Sequence, residues 1–201
     1  MPESRQSSRI NYSGTVSIAP AVKKDVLELA SLEAARMIEM YPPEERERRG
    51  FIVTAIGPSR FAELIEDRSC SVLIARVTEL DGPWTAIGFA AVYGSARASR
   101  TFPYLDLFCG ESENWAYLKS IAVDPRCEGR GVSWKLFRAL VNEARVRGAT
   151  AIYTEVSHSP PNLPSLALVR AGGLELVAEI PDPVKGFVWG LYRYEINGEP
   201  K

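Results

Sequence analysis

A single histidine, three cysteines and no apolar run approaching the length of a membrane span set the first limits on this chain of 201 residues. Cys70, Cys109 and Cys127 are odd in number, widely spaced and without metal-ligand spacing, so they read as reduced cytosolic thiols and no metal is expected. Neither sign of charge dominates: 24 Lys and Arg against 25 Asp and Glu leave a formal net charge of -1, and no arm is strongly basic. A nucleic-acid backbone is therefore not the expected partner. The polar stretch from Met1 to Ser13 lacks the apolar core of a signal peptide, and with no membrane partner in view a cytoplasmic location is expected. Two familiar phosphate loops are also missing. GxxxxGK[ST] does not occur, and Trp134 stands where GxGxxG needs its third glycine. With no internal repeat and no linker, residues 1–14 are expected as a flexible Ser/Arg-rich tail and residues 15–201 as a single domain.

What is present centres on Ile121-Ala-Val-Asp-Pro-Arg-Cys-Glu-Gly-Arg-Gly-Val-Ser-Trp-Lys-Leu-Phe137. This reads as a buried strand, a tight glycine turn and a helix opening out of that turn. Such a turn leaves backbone N–H groups unpaired at the positive end of a helix, which suits a diphosphate. Gly129 and Gly131 permit positive φ and remove side chains that would block close approach.

Around it, the pattern alternates between elements. Val16–Ile18 is a short strand, and residues 23–40 carry an apolar helical stripe that Pro42-Pro43 ends. Glu44–Arg49 is a charged run expected as a solvated helical face. Phe51–Ile56 looks extended, Pro58 opens a short helix with Phe61, Leu64 and Ile65, and Asp81-Gly82 turns between strands over 71–77 and 84–93. Residues 94–114 form an irregular, aromatic segment suited to a lid or substrate loop. Trp115–Val123 then feeds the glycine turn, and the helix behind it places Val132, Leu136, Phe137, Leu140, Val141 and Ala144 on one face before Gly148. Ala151–Val156 follows as a strand parallel to 115–123. Asn162 caps a helix that Gly172-Gly173 stops, and strands 174–180 and 187–194 close the chain.

Strand, Val123-Asp-Pro125, glycine turn and helix together resemble the GCN5-related N-acetyltransferase superfamily. Its turn usually reads Gln/Arg-x-x-Gly-x-Gly/Ala, which places Glu128, Gly131 and Ser133 at the three marked positions. A literal match two residues earlier, Arg126-x-x-Gly129-x-Gly131, puts the apolar helix face out of register, although Arg126 or Arg130 remains available to neutralise phosphates. Downstream, Asn162, Ser165, Leu166, Leu168, Val169, Gly173 and Leu174 stand in the family's register, so the likeness spans about residues 15–195. The resemblance implies a mixed α/β (α+β) fold: a central, mostly antiparallel sheet with a parallel, splayed strand pair, flanked by helices.

It also implies acetyl-CoA or a related acyl-CoA as acyl donor. The diphosphate would lie on residues 129–133, the pantetheine arm along Ile121, Ala122 and Val123, and Asn162 and Ser165 beside it. Glu128, Gly129, Arg130, Gly131, Val132 and Ser133 complete the expected cofactor set. Acetyl transfer to an amine needs positioning, an oxyanion donor and a base. The alignment puts Tyr117 where several relatives hold a Glu, and His158 follows the end of the adjacent strand, so Tyr117 and His158 are the catalytic candidates; Glu155 lies on that same strand. Glu128 sets a carboxylate beside a diphosphate, and Val169 stands where many relatives carry the Tyr that protonates the thiolate. Two readings follow: an N-acyltransferase working through a ternary complex on a small-molecule or peptide amine, and a degenerate CoA-binding regulatory module. The aromatic stretches 97–115 and 187–194 suit an apolar, amine-bearing acceptor, burial against one another, or a homodimer surface.

Overall fold

The computed structural model describes residues 15–78, 84–109 and 114–196; the expected tail and the Asp81-Gly82 turn lie outside them. Seven strands form one sheet in the order β1-β2-β3-β4-β5-β7-β6. The strands are β1 (Ser17–Pro20), β2 (Ser71–Thr78), β3 (Trp84–Gly94), β4 (Trp115–Val123), β5 (Ala151–Ser159), β6 (Glu175–Asp182) and β7 (Phe187–Glu195). Every neighbouring pair is antiparallel except β4 and β5, which are parallel. That exception is what the 15-residue helix α5 (Val132–Val146) between them requires, because parallel strands need a crossover.

Side chains alternate across the sheet, so each face buries its own core. One face packs Leu29 of α1 (Val26–Ala34), Phe61 and Leu64 of α3 (Pro58–Glu66) and Ala98 of α4 (Ser95–Thr101) against Phe89, Tyr93 and Tyr117. The other packs α5, through Val132, Leu136, Phe137, Leu140, Val141 and Ala144, against Ile87, Ala90, Leu118 and Ile152. These six α5 residues are the face that the spacing predicts. Gly148, at φ 79°, takes the left-handed conformation that follows the helix end.

Three expectations need correction. The stripe over residues 23–40 is not one helix: a 3₁₀ turn at Lys23–Asp25 leads into α1, which ends at Ala34, and a second 3₁₀ turn covers Ile38–Met40. Phe51–Ile56 is not a strand and makes only one bridge, Ile52 with Met37. It is held instead by Glu33, a 2% exposed carboxylate accepting the backbone N–H groups of Ile56 (2.7 Å) and Gly57 (2.9 Å). Residues 110–113 lie outside the described residues, and up to Cys109 the stretch after Gly94 is not irregular. It forms α4 and a 3₁₀ turn at Pro103–Leu107, tied down by buried Ala98 and Leu105.

Candidate active site

The parallel pair β4–β5 separates halfway along its length. Pairing runs from Trp115↔Ala151 to Leu118↔Thr154 and stops there, although both strands continue. The Thr154 hydroxyl donates to the Leu118 carbonyl at 2.9 Å and closes the joined part. On its other edge β4 carries a bulge: Leu118 pairs with Val92 and Ser120 with Ala91, so Lys119 is the extra residue. Beyond this point the edge of β4 facing β5, residues 119–123, has backbone groups that no β5 residue pairs.

A cavity of about 780 Å³ opens over that gap. Every residue expected for the cofactor lines it: Ile121, Ala122 and Val123, the run from Glu128 to Ser133, and Asn162 and Ser165. At one end lies the glycine turn. Gly129 (φ 72°) and Gly131 (φ 71°) are both left-handed, and a β-carbon on either would meet no protein atom within 4 Å. The two glycines therefore serve conformation and the open space in front of the loop rather than internal packing. Gly131 is the N-cap of α5 with no side-chain cap, and the helical ladder begins with Lys135 N–H to the Gly131 carbonyl at 3.0 Å. The N–H groups of Val132, Ser133 and Trp134 thus have no acceptor one turn back, which leaves the loop fit for an anion.

Glu128 does not present an uncompensated charge to this loop. Its Oε1 accepts Nη1 of Arg36 at 2.6 Å, and Nη1 of Arg49 lies 3.8 Å from its Oε2. Arg36 is 6% exposed and also donates to the carbonyls of Val123 (2.6 Å) and Arg49 (2.8 Å). It locks the end of β4, the end of α2 (Pro43–Arg49) and the turn together. Nothing in the local sequence pattern singles out Arg36; its one signal is Glu128 itself, an acid in a place that needs a compensating cation. The charged run of α2 is solvated as expected along most of its length, with no buried residue, but Arg48 and Arg49 at its end line the cavity.

Asn162 caps α6 (Leu163–Ala171) as the sequence predicts, its Oδ1 accepting the Ser165 N–H at 3.2 Å. Its Nδ2 donates to the Phe51 carbonyl at 3.0 Å, so one 5% exposed amide joins α6 to the 51–57 segment at the cavity wall.

At the other end of the cavity lies Glu155, on β5. The hydroxyls of Tyr104 and Tyr117 both donate to its Oε2 at 2.7 Å. Burial first, and then the Glu155 charge, push both phenols well above the ordinary tyrosine range, so both stay O–H donors at neutral pH. Tyr117 lines the cavity as expected, but as a donor that orients Glu155 rather than as a proton acceptor. His158 is outside the cavity lining. Its ring sits between Glu179 (Nδ1 to Oε1, 2.7 Å) and Tyr192 (Nε2 to the hydroxyl, 2.8 Å), over Gly190 of β7, where a β-carbon would collide with it. It packs β5 against β6 and β7. Glu155, three residues earlier on β5, does line the cavity. Lys119, Phe102, Lys185 and Trp189 also line this end. Burial holds the Lys119 ammonium below the usual lysine range, against the opposing charges of Glu155 and Glu33. Val169, 4% exposed, brings no hydroxyl to the cavity. Among the described residues no group of three or more His, Cys, Asp or Glu could hold a metal ion, and no helix is long and apolar enough to cross a membrane.

Comparison with known proteins agrees with this geometry. A family model described as the acetyltransferase (GNAT) family matches residues 29–173. No curated protein matches the sequence significantly. Among solved structures, the chain is similar to NAA60 of Arabidopsis thaliana in complex with acetyl-CoA, at a TM-score of 0.66 and 17% identity, covering 92% of this chain and 100% of that one. It is similar to the ribosomal-protein-S18-alanine N-acetyltransferase of Escherichia coli, at a TM-score of 0.62 and 18% identity over 93% and 97% of the two chains. It is also similar to yncA of Salmonella typhimurium, a structure holding acetyl-CoA, at 0.62 and 18% over 92% and 96%.

Proposed function

The chain belongs to the GNAT acetyltransferase family, and from that membership we propose that it moves an acetyl group from acetyl-CoA to an amine by direct attack within a ternary complex. The observation that carries this reading is the parting of β4 and β5 after Leu118↔Thr154 over a cavity continuous with the glycine turn. Acetyl-CoA supplies the acyl group as a thioester. The N–H groups at the start of α5 would take its diphosphate, and the edge of residues 119–123 that β5 leaves unpaired, apart from the Val123 carbonyl held by Arg36, would take the pantetheine as an added strand. The two left-handed glycines leave room for that approach.

For transfer, the acceptor amine must lose a proton before it can attack, since an alkyl ammonium has a pKa of about 10.4. Glu155 is the group positioned to accept that proton, directly or through a water, with Tyr104 and Tyr117 fixing its orientation. The new C–N bond forms as the C–S bond breaks, and the thiolate is left to be protonated without a hydroxyl from Val169. One similar structure is a ribosomal-protein-S18-alanine N-acetyltransferase, which favours a peptide amine, and a small-molecule amine suits the cavity as well. Calorimetric titration with acetyl-CoA, followed by CoA release in the presence of an amine panel, tests the reading. Binding with turnover is expected, and absence of CoA binding would refute it.

One observation favours a second reading, CoA binding without transfer: the buried Val169 at the place of the usual acid. Multiple turnovers with any amine would remove it.

A further inference from the structure

Leu118 and Thr154 form the last pair before β4 and β5 separate, so Lys119 and Glu155 are the next residue on each lip of the gap. Both line the cavity. They carry opposite charges yet form no ion pair with each other; among the described residues the Lys119 ammonium makes no hydrogen bond or ion pair, and it lies 5.6 Å from the centroid of the Phe102 ring. Lys185, across the same cavity, donates only to the neutral hydroxyl of Thr54, at 3.1 Å. The acids nearby are already engaged. Glu155 Oε2 takes two tyrosine hydroxyls, and Asp182 Oδ1 accepts the N–H groups of Val184 and Lys185.

An ammonium taken out of water without a partner is costly, and a ligand carboxylate recovers that cost. A second cation on the acceptor would meet Lys119 and Lys185 instead, which disfavours polyamines. We propose that the acceptor is an amino-acid-like zwitterion, its amine directed to Glu155 and its carboxylate to Lys119, with Lys185 reinforcing the same end. The charges held apart across the strand gap complement an amine and a carboxylate held a few bonds apart. This rests on the acyl-transfer reading above and specifies its acceptor.

The test uses the full chain with acetyl-CoA and matched acceptors: the common amino acids, their carboxamides, and alkylamines of equal length. At least about tenfold higher kcat/KM is expected for a free amino acid over its amide, the scale of one charge-assisted contact. Lys119→Met should bring that ratio close to one through the amino acid's KM, while calorimetry shows CoA still bound; Lys119→Arg should restore part of it. Equal or better use of the amide or alkylamine overturns the inference, as does an unchanged ratio in Lys119→Met. CoA binding with no turnover of any amino acid overturns it too, and leaves the CoA reading standing. Loss of CoA binding in the unaltered chain instead removes the reading on which it rests.

Discussion

Nη1 of Arg36 lies 2.6 Å from Oε1 of Glu128, joining residues 92 positions apart at the mouth of the glycine turn. The same guanidinium reaches the Val123 carbonyl, where the strand enters the turn. The carboxylate that the resemblance marks as a liability is therefore matched by a buried cation, and the pair positions the loop.

Removing Arg36 leaves Glu128 without its nearest cation and the Val123 carbonyl without its donor. Arg36→Met is expected to cost about 2 kcal/mol in denaturant unfolding, below the range for fully buried pairs because Glu128 is 37% exposed. Glu128→Gln keeps an acceptor and should cost under about 1 kcal/mol. Arg36→Lys should resemble Arg36→Met, since one ammonium cannot reach three separated oxygens. Equal losses for Glu128→Gln and Arg36→Met would show that the pair does not organise the loop.

Gly129 and Gly131 separate conformational cost from ligand cost. Alanine at either must adopt positive φ, which costs about 1–2 kcal/mol. Its β-carbon meets no protein atom but projects into the space before the loop. CoA affinity, measured by calorimetry, should fall by a larger free energy than folding stability does. Equal losses would mean that the loop is not where the diphosphate sits.

Much of this site is legible in the sequence because its determinants are local. Glycines at positive φ, an Asn three residues before the amide it caps, and a six-residue apolar face are all set by spacing along the chain. What spacing does not convey is contact between distant segments. Arg36 with Glu128, Glu33 with Ile56 and Gly57, and Tyr104 with Glu155 join residues far apart in sequence, and none has a periodic signature. His158 shows the converse limit. A lone histidine near an expected acyl group invites a catalytic role, yet this one lies at the bulge between Ser157 and Ser159, over Gly190 and outside the cavity lining that includes Glu155. Residues 94–109 misled because their helix is only seven residues long, too short to show a period.

The two phenols whose pKa values are raised furthest make stability depend on alkaline pH in one direction. The folded state keeps the Tyr104 and Tyr117 protons that the unfolded chain releases near pH 10.0. Their contribution is complete below that value and is lost as pH rises above it, because unfolding then releases protons. Denaturation midpoints should hold up to about pH 10 and fall beyond it. Tyrosinate absorbance in the native protein should show these two of the eight tyrosines ionising last. Phe at both positions should flatten the fall, whereas all eight ionising together would contradict the buried arrangement.

Glu155 gives the sharpest test of the chemistry, because its two donors can be removed separately from the carboxylate. Glu155→Gln keeps shape and one acceptor oxygen but cannot take a proton at neutral pH. A loss of about 10²–10⁴ in kcat is expected, the range for a general base, with CoA affinity kept because the glycine turn lies at the other end of the cavity. Tyr104→Phe and Tyr117→Phe keep their rings, and each leaves one hydroxyl on Oε2. Each should lower kcat by about tenfold, the scale of one hydrogen bond to a charged group, without changing KM for acetyl-CoA. The double variant should lose more than either alone, since nothing then fixes the rotamer of the carboxylate. If Glu155→Gln leaves kcat intact, the proton leaves by another route and both tyrosines serve only packing. If instead the two phenylalanine variants are silent while Glu155→Gln is inactive, Glu155 remains the base and its orientation comes from the strand alone.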